Sequence, residues 1–523
     1  METKKKNKIV DLLIIITACI IGVFVCCGLY DAFTFIFELY LSKFSLSFAD
    51  STVSLAGQHI FSVPALVASV VSYPFAVLIT AAILSIIVKG ASYFKLKDAF
   101  SSVRVKKLPK AILILFVNII FAASVGTGLL WAAYALPSGN TSRNMEKSAG
   151  VFASEGPRPS VVSWATSILD NYTDSLILLT VSDETDGPLL ENALMNHHGV
   201  IHGSEPVETL VKHFSDGAGF DDHSAYPRYW HGYNIVLKPL LRSMGYKEIR
   251  TFNTLLQVIL VTLICFSMAR RERKNLIIPF LLTYLMLMPA AMGRSLQYSS
   301  CFYAALLSVF VLLLKRQDRG VRFLFLYTGI ATAFFDLLTF PVMTFGFPAA
   351  VYLSLIRDRS SEDRLIDTVR NGISWCLGYG CMWASKWLIA DLVTGSSVIR
   401  DAIDTIGLRT SAAETVDAVK ISVFSVIGRN LLAFFFTPAT VFIAFYILFL
   451  FFRNRRCGRS TSADTAFMLP HALLLLLPFF WYSFAANHSM LHFWFTNKAL
   501  SVAVLSIMCG ISDISAVKKT HLN

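Results

Sequence analysis

The side chains able to do chemistry gather in three stretches of this chain. Asp170-Asn171-Tyr172-Thr173-Asp174 follows Trp164 and, read as a helix, sets Asp170 and Asp174 one turn apart on one face. Two neighbouring carboxylates can raise one pKa enough to make a general base, or share a divalent cation such as Mg or Mn. A solvated helix face or an N-cap accounts for the same spacing, and Asn171-Tyr172-Thr173 also reads as a glycosylation sequon. Further on, Asp221-Asp222-His223-Ser224-Ala225-Tyr226-Pro227-Arg228-Tyr229-Trp230-His231-Gly232-Tyr233 crowds acids, imidazoles, a guanidinium and aromatic rings just ahead of an apolar run. Aromatic faces suit the C–H surfaces of sugar rings, and arginine suits phosphate or carboxylate oxygens. An interfacial aromatic belt explains the Tyr and Trp but not the Asp-Asp-His. The third stretch, Asn487 to His492, spaces His488 and His492 four apart, for phosphate, carboxylate or metal. No Glu lies between them, so the metalloprotease pattern is absent.

These groups must be positioned by membrane helices. The chain has 523 residues, 55% hydrophobic and 15% charged, with mean hydropathy +0.60. Soluble proteins carry about 25% charged residues, so a water-soluble enzyme is excluded, and 42 Phe exclude a disordered chain. Apolar runs of spanning length fall at 9–30, 63–88, 110–135, 252–269, 275–292, 296–314, 371–391, 427–452, 466–485 and 492–512. The stretch 323–356, interrupted by Asp336, Pro341 and Pro348, reads as two short helices broken around Thr339-Phe340-Pro341. The fold expected is therefore an all-α polytopic membrane protein of about twelve helices.

The net charge of +12 is carried by basic clusters between the runs, such as Arg270 to Lys274, Arg357 to Arg370 and Arg453 to Arg459. With no aromatic-interleaved basic groove, they read as cytoplasmic loops rather than a nucleic-acid surface. Both termini then face the cytoplasm. Residues 1–135 form N-terminal membrane helices with an outward interfacial helix in 31–62. Residues 136–251 form one large extracytoplasmic loop domain. Residues 252–523 return to the membrane, with a short outward loop at 392–426 where Ser411-x-x-Glu414 suggests a capping box and an amphipathic helix. The N-terminal run reads as an uncleaved first span. None of the nine cysteines lies in the long loop, so no disulfide framework is expected.

Charges within or at the ends of spans are functional suspects: Arg294, Asp336, Lys386, Asp391, Arg429 and Lys498. Snorkelling to the interface is the plain alternative for Arg294, Lys386 and Lys498. All approach outer helix ends, where a transporter would hold charges near the midplane. There is no Walker loop, no dinucleotide fingerprint and no Gly-x-Ser-x-Gly elbow.

This architecture, with Asp170 and Asp174 in the large loop, Arg228 to Tyr233 before a span and Asn487 to His492, resembles the GT-C superfamily of integral membrane glycosyltransferases. The large loop follows the third expected span rather than the first, and only Asp31 follows the first. The resemblance implies a polyprenyl-phosphate-linked sugar donor, a glycan or lipid-linked acceptor, and a site on the outer face of the cytoplasmic membrane, in cell-surface glycan assembly. Asp174 is the first choice of base, then Asp170 and Asp222. Arg228, Trp230, His231, Arg294, Asp336, His488, His492 and Lys498 would bind substrate, with charge neutralisation from Arg228, Arg294 or Lys498. A surface-polysaccharide polymerase or ligase, and a non-enzymatic lipid or solute transporter, are the alternatives.

Overall fold

The computed structural model describes residues 108–315, 319–410, 415–416, 419–420, 423–456 and 462–520, with strands 53–55 and 58–61 and a few helical positions before residue 86. The first two expected spans and the Ser411 capping box lie outside the described residues, apart from those few positions. Within 31–62, Val53–Leu55 (β1) pairs antiparallel with Gln58–Phe61 (β2), so this part of the expected interfacial helix is a hairpin.

From Leu108 the chain is almost wholly helical. It opens with α1 (Leu108–Tyr134) and enters the loop domain with α2 (Thr141–Glu155), α3 (Asn171–Ser182), α4 (Leu189–Met195), α5 (Pro206–Phe214) and α6 (Asn234–Leu241). A small antiparallel ribbon, β3 (His198–Val200) with β4 (Asp222–Ser224), crosses that domain. There follow α7 (Tyr246–Arg270), α8 (Ile277–Met286), α9 (Pro289–Arg294), α10 (Leu296–Leu314), α11 (Val321–Phe335), α12 (Val342–Leu355) and α13 (Ser361–Thr394). The last stretch holds α14 (Val398–Thr410), α15 (Val423–Phe435), α16 (Pro438–Arg456), α17 (Ser462–Phe484), α18 (Ala486–Leu491), α19 (Phe493–Thr496) and α20 (Ser501–Thr520). Between α14 and α15, Thr415–Val416 pairs with Val419–Lys420 as a short hairpin. The helix expected after Ser411 is thus replaced; the loop's helix is α14, upstream.

Five described helices are long and apolar enough to cross a membrane: Pro109–Tyr134, Tyr246–Arg270, Leu296–Leu314, Ala466–Phe484 and Phe493–Ile514. Val423–Phe435 and Pro438–Asn454 pass the same test together but meet at 89°. The bend falls before Pro438, which has no N–H to continue the ladder. Shorter apolar helices cover Lys274–Met286, Val321–Phe335 and Val342–Leu355, so the break in 323–356 falls at 336–341, around Pro341. Ile112, Phe116, Ile120 and Phe121 stay exposed on α1, an apolar surface suited to lipid rather than water.

The loop domain has its own core. Met145, Ala149 and Phe152 recur at helical spacing along α2 and bury against Ile177, Leu178, Leu210, Leu237 and Tyr246. It docks on one end of the helix bundle through polar ties: Gly232 N–H to Phe334 O (2.8 Å), Tyr298 OH to Ile168 O (2.7 Å) and Trp387 Nε1 to Arg228 O (2.8 Å). Basic residues collect at the opposite end. There Arg273 donates to Leu355 O, Arg357 lies 3.7 Å from Asp513, and Arg364 donates to Phe467 O and sits over the Phe467 ring.

Two glycines fix the helix that matters most for the site. A Cβ on Gly329 of α11 would lie 2.2 Å from Trp375 O, and one on Gly378 of α13 would lie 2.1 Å from Leu326 O. The two backbones therefore touch, as small residues allow between helices in lipid. At its ends α13 is capped by Ser360, which accepts from Asp363 N, and by Gly395 in the left-handed region (φ 68°).

Candidate functional site

A cavity of about 490 Å³ opens beside α13. Trp375, Tyr379, Trp383 and Trp387 recur every fourth residue on that helix and form its wall, with successive ring centroids 5.0, 5.4 and 5.8 Å apart. At 1.5 Å per residue this aromatic ladder runs about 18 Å along the helix. Leu338, Ile406, Leu477, Phe480 and Phe484 complete the apolar lining, and Arg228 and Arg409 stand among them.

The two guanidiniums are held differently. Arg228 NH1 spans both carboxylate oxygens of Asp401 at 3.1 and 2.9 Å. Arg409 NH1 donates to His488 Nδ1 (3.2 Å) and His492 Nε2 (2.9 Å). His488 Nε2–H in turn donates to Leu338 O at 2.7 Å, which fixes its tautomer and frees Nδ1 to accept. Burial, and then neighbouring charges including Arg409, push both imidazoles down, His492 to about 3, so both are neutral acceptors. Leu338 takes φ +65°, and Asp336 holds that turn by accepting from Thr339 N (2.9 Å) and from the Thr339 hydroxyl.

Five donors on the cavity's lining side chains are buried without a partner among the described residues: Arg228 Nε, Arg409 Nε, Tyr379 OH, Trp383 Nε1 and Trp481 Nε1. Unpaired buried donors cost free energy and call for an acceptor. The cavity is thus an apolar groove with two guanidiniums and three further unpaired donor groups on its lining side chains.

The expected site residues divide. Arg228, His488 and His492 belong to the cavity or to its Arg409, and Asp336 supports its wall. Asp174 does not face it. Fully buried, it accepts from Tyr246 OH (2.5 Å), Leu296 N (2.9 Å) and Gln297 N (2.9 Å), capping the start of α10. Burial lifts its carboxyl to about 6, against hydrogen bonds and Arg250 that favour the charged form. Asp170 is the N-cap of α3, accepting from Thr173 N (3.0 Å), the Thr173 hydroxyl (3.1 Å) and Trp494 Nε1 (3.3 Å). Burial raises its pKa too. The shared helix face is real only as cap and first turn, and the two carboxylates go to different partners.

Asp222 is exposed on β4, its Oδ1 2.7 Å from the His223 N–H, and makes no ion pair with Arg228, which pairs with Asp401. Trp230 is wholly buried and donates to Met382 O at 2.7 Å, anchoring the loop domain to α13. His231 (φ 52°) bonds Tyr226 O at 2.7 Å and Tyr233 OH at 2.5 Å, and burial pushes it down to about 3. Its partners are these tyrosines, and it makes no bond to His488 or His492. Lys498 is buried and donates to Thr166 O at 2.6 Å, and Lys386 donates to Leu194 O, so both are ties rather than free cations. Arg294 is exposed at the end of α9 and lines no part of the cavity. Among the described residues no group of three His, Cys, Asp or Glu could hold a metal ion.

Sequence reasoning missed the aromatic ladder and Arg409. The ladder was visible as Trp375-x3-Tyr379-x3-Trp383-x3-Trp387, one face of a helix. Arg409 carried no local signal. Comparison with protein-family models, with curated proteins and with solved structures finds no match.

Proposed function

We propose that this chain is a membrane glycosyltransferase of about twelve spans. It would transfer a sugar from a lipid-phosphate donor to a glycan or lipid-linked acceptor at the loop-domain end, on the outer face of the cytoplasmic membrane. The observation that carries the reading is the cavity: an aromatic and aliphatic groove suited to a lipid chain and sugar faces, with two guanidiniums and unpaired donors suited to phosphate oxygens. In the reaction the sugar C1–O bond to phosphate breaks and the lipid phosphate leaves with the electron pair. Arg409 and Arg228 neutralise that charge. The acceptor hydroxyl forms the new C1–O bond and gives its proton to a carboxylate. Asp170 and Asp174 are committed to structural bonds, so the base passes to Asp401, exposed beside the cavity and oriented by Arg228.

A radiolabelled lipid-phosphate sugar tests this in reconstituted vesicles. Label transferred to acceptor with release of lipid phosphate supports the reading, and Arg409→Gln should abolish it. Label that crosses the bilayer still bonded to its lipid would show a transporter instead.

A further inference from the structure

A second pocket, of about 220 Å³, lies where the end of α1 meets α3 and α6, and none of its lining residues is shared with the aromatic cavity. It is polar. Ser138, Thr141, Ser182 and Thr185 present hydroxyls, and Lys238 and Arg242 enter from one side. These two cations are four residues apart at the C-terminal end of α6, hence on one face and at the helix end that favours positive charge.

Neither cation has a full complement of partners. Lys238 Nζ donates to Val181 O at 2.8 Å and lies 4.2 Å from the Tyr134 ring centroid, leaving donors to spare. Burial pushes its pKa down to about 8, despite the pull of Asp183 and Glu184. Arg242 makes no ion pair among the described residues, and its Nε is buried without a partner. Gly139 (φ +57°) makes room for it, since a Cβ there would stand 3.0 Å from Arg242 Nε. Of the two acids on the lining, Asp183 is already committed. It bonds His223 Nδ1 at 2.6 Å and the Thr185 hydroxyl, and its side chain is 4% exposed. Glu184 is exposed. The two cations thus keep donors to spare beside two carboxylates, framed by hydroxyls: Thr141, Ser182 and Thr185 already donate to Ser138 O, Leu178 O and Asp183 and so offer lone pairs, and Ser138 can also donate.

We propose that this pocket binds a hydroxylated ligand carrying an oxyanion, the chemistry shared by an acidic sugar and a phosphoglycerol headgroup. The guanidinium and ammonium take the anion, and the Ser and Thr hydroxyls take the ligand's hydroxyls. The volume equals about seven waters at roughly 30 Å³ each, enough for one sugar ring or one headgroup. The assignment is independent of the transfer reading, because it uses none of that cavity's residues.

The test is saturation-transfer NMR on the full chain in nanodiscs of phosphatidylcholine, with D-glucuronate, glycerol 1-phosphate and D-glucose as probes. Glucuronate and glycerol phosphate should bind at least about tenfold tighter than glucose. Arg242→Gln should weaken them about tenfold with an unchanged melting temperature; Lys238→Met should weaken them as much while also lowering the melting temperature through the lost bond to Val181 O. Glu184→Gln, an exposed change that does not endanger folding, should tighten binding two- to threefold by removing a like charge. Phosphatidylglycerol in the nanodisc should displace glucuronate if the headgroup is the natural source, and leave it bound if the source is an acidic sugar. Equal binding of glucose, equal binding by the Arg242→Gln variant, or weaker binding by Glu184→Gln would each overturn the proposal.

Discussion

Gly378→Ala should damage both stability and ligand binding, although it adds one methyl far from any charged group. The new Cβ would stand 2.1 Å from Leu326 O, about 1.3 Å inside the 3.4 Å at which contact becomes ordinary. The obstacle is backbone, so no side chain can swing aside and α11 and α13 must separate by about that amount. Overpacking of this kind costs about 1–3 kcal/mol. The shift carries the aromatic ladder with it, and a misplacement of about 1 Å can cost roughly a hundredfold in rate. Gly329→Ala meets Trp375 O at 2.2 Å across the same contact. The double variant should lose less than the sum of the singles, because the first separation relieves the second. Gly380 is the control: it lines the cavity, but a Cβ there meets nothing within 4 Å. Gly380→Ala should stabilise by about 0.5–1 kcal/mol, as alanine does in a helix. Thermal unfolding in detergent, followed by tryptophan fluorescence, reads stability, and titration with a polyprenyl phosphate reads the cavity. A Gly378→Ala protein that melts with the wild type and binds lipid phosphate equally would refute the argument.

Arg409→Lys should weaken polyprenyl-phosphate binding at least about tenfold in the same titration, because an ammonium cannot reproduce the planar fork. The carboxyl of Asp174 is raised to about 6, above its unfolded value near 3.9, so the folded state binds more protons in that window. Its contribution to stability should rise by about 3 kcal/mol as pH falls from about 7 to about 3, and Asp174→Asn should remove that component from the pH profile of unfolding. His231, pushed down to about 3, has the opposite sign: its stabilisation is present above about pH 6.5 and is lost as pH falls, so His231→Asn should flatten the acid side. Topology reporters fused after Lys212 and after Lys274 should report opposite sides of the membrane, and the same side for both would overturn the helix arrangement.

The break in 323–356 was legible because Asp336 and Pro341 interrupt an apolar run, and chain chemistry alone forces a turn there. The loop domain was legible as a block of polar sequence. What its residues do was less so. Asp170 and Asp174 look equivalent in sequence, but the partners that commit them, Trp494 and the start of α10, lie more than a hundred residues away. A separation of 79 and 83 residues likewise hides the Arg409 contact to His488 and His492. Trp230 and His231 read as ligand groups because aromatics and imidazoles suit sugars, yet the carbonyls of Met382 and Tyr226 take their N–H groups. Local pattern names elements well; it does not reveal which polar group a distant backbone will claim.

The two buried lysines also set an order of assembly. Lys386 completes a carbonyl of the loop domain 192 residues behind it, and Lys498 one 332 residues behind. At about 5–20 residues per second of synthesis, Thr166 waits roughly 17–66 s after it is made before its lysine exists. During that interval the loop domain can form its own core but cannot seat its underside. Leu194 O and Thr166 O therefore stay without these partners until α13, and later the segment leading into α20, has been made.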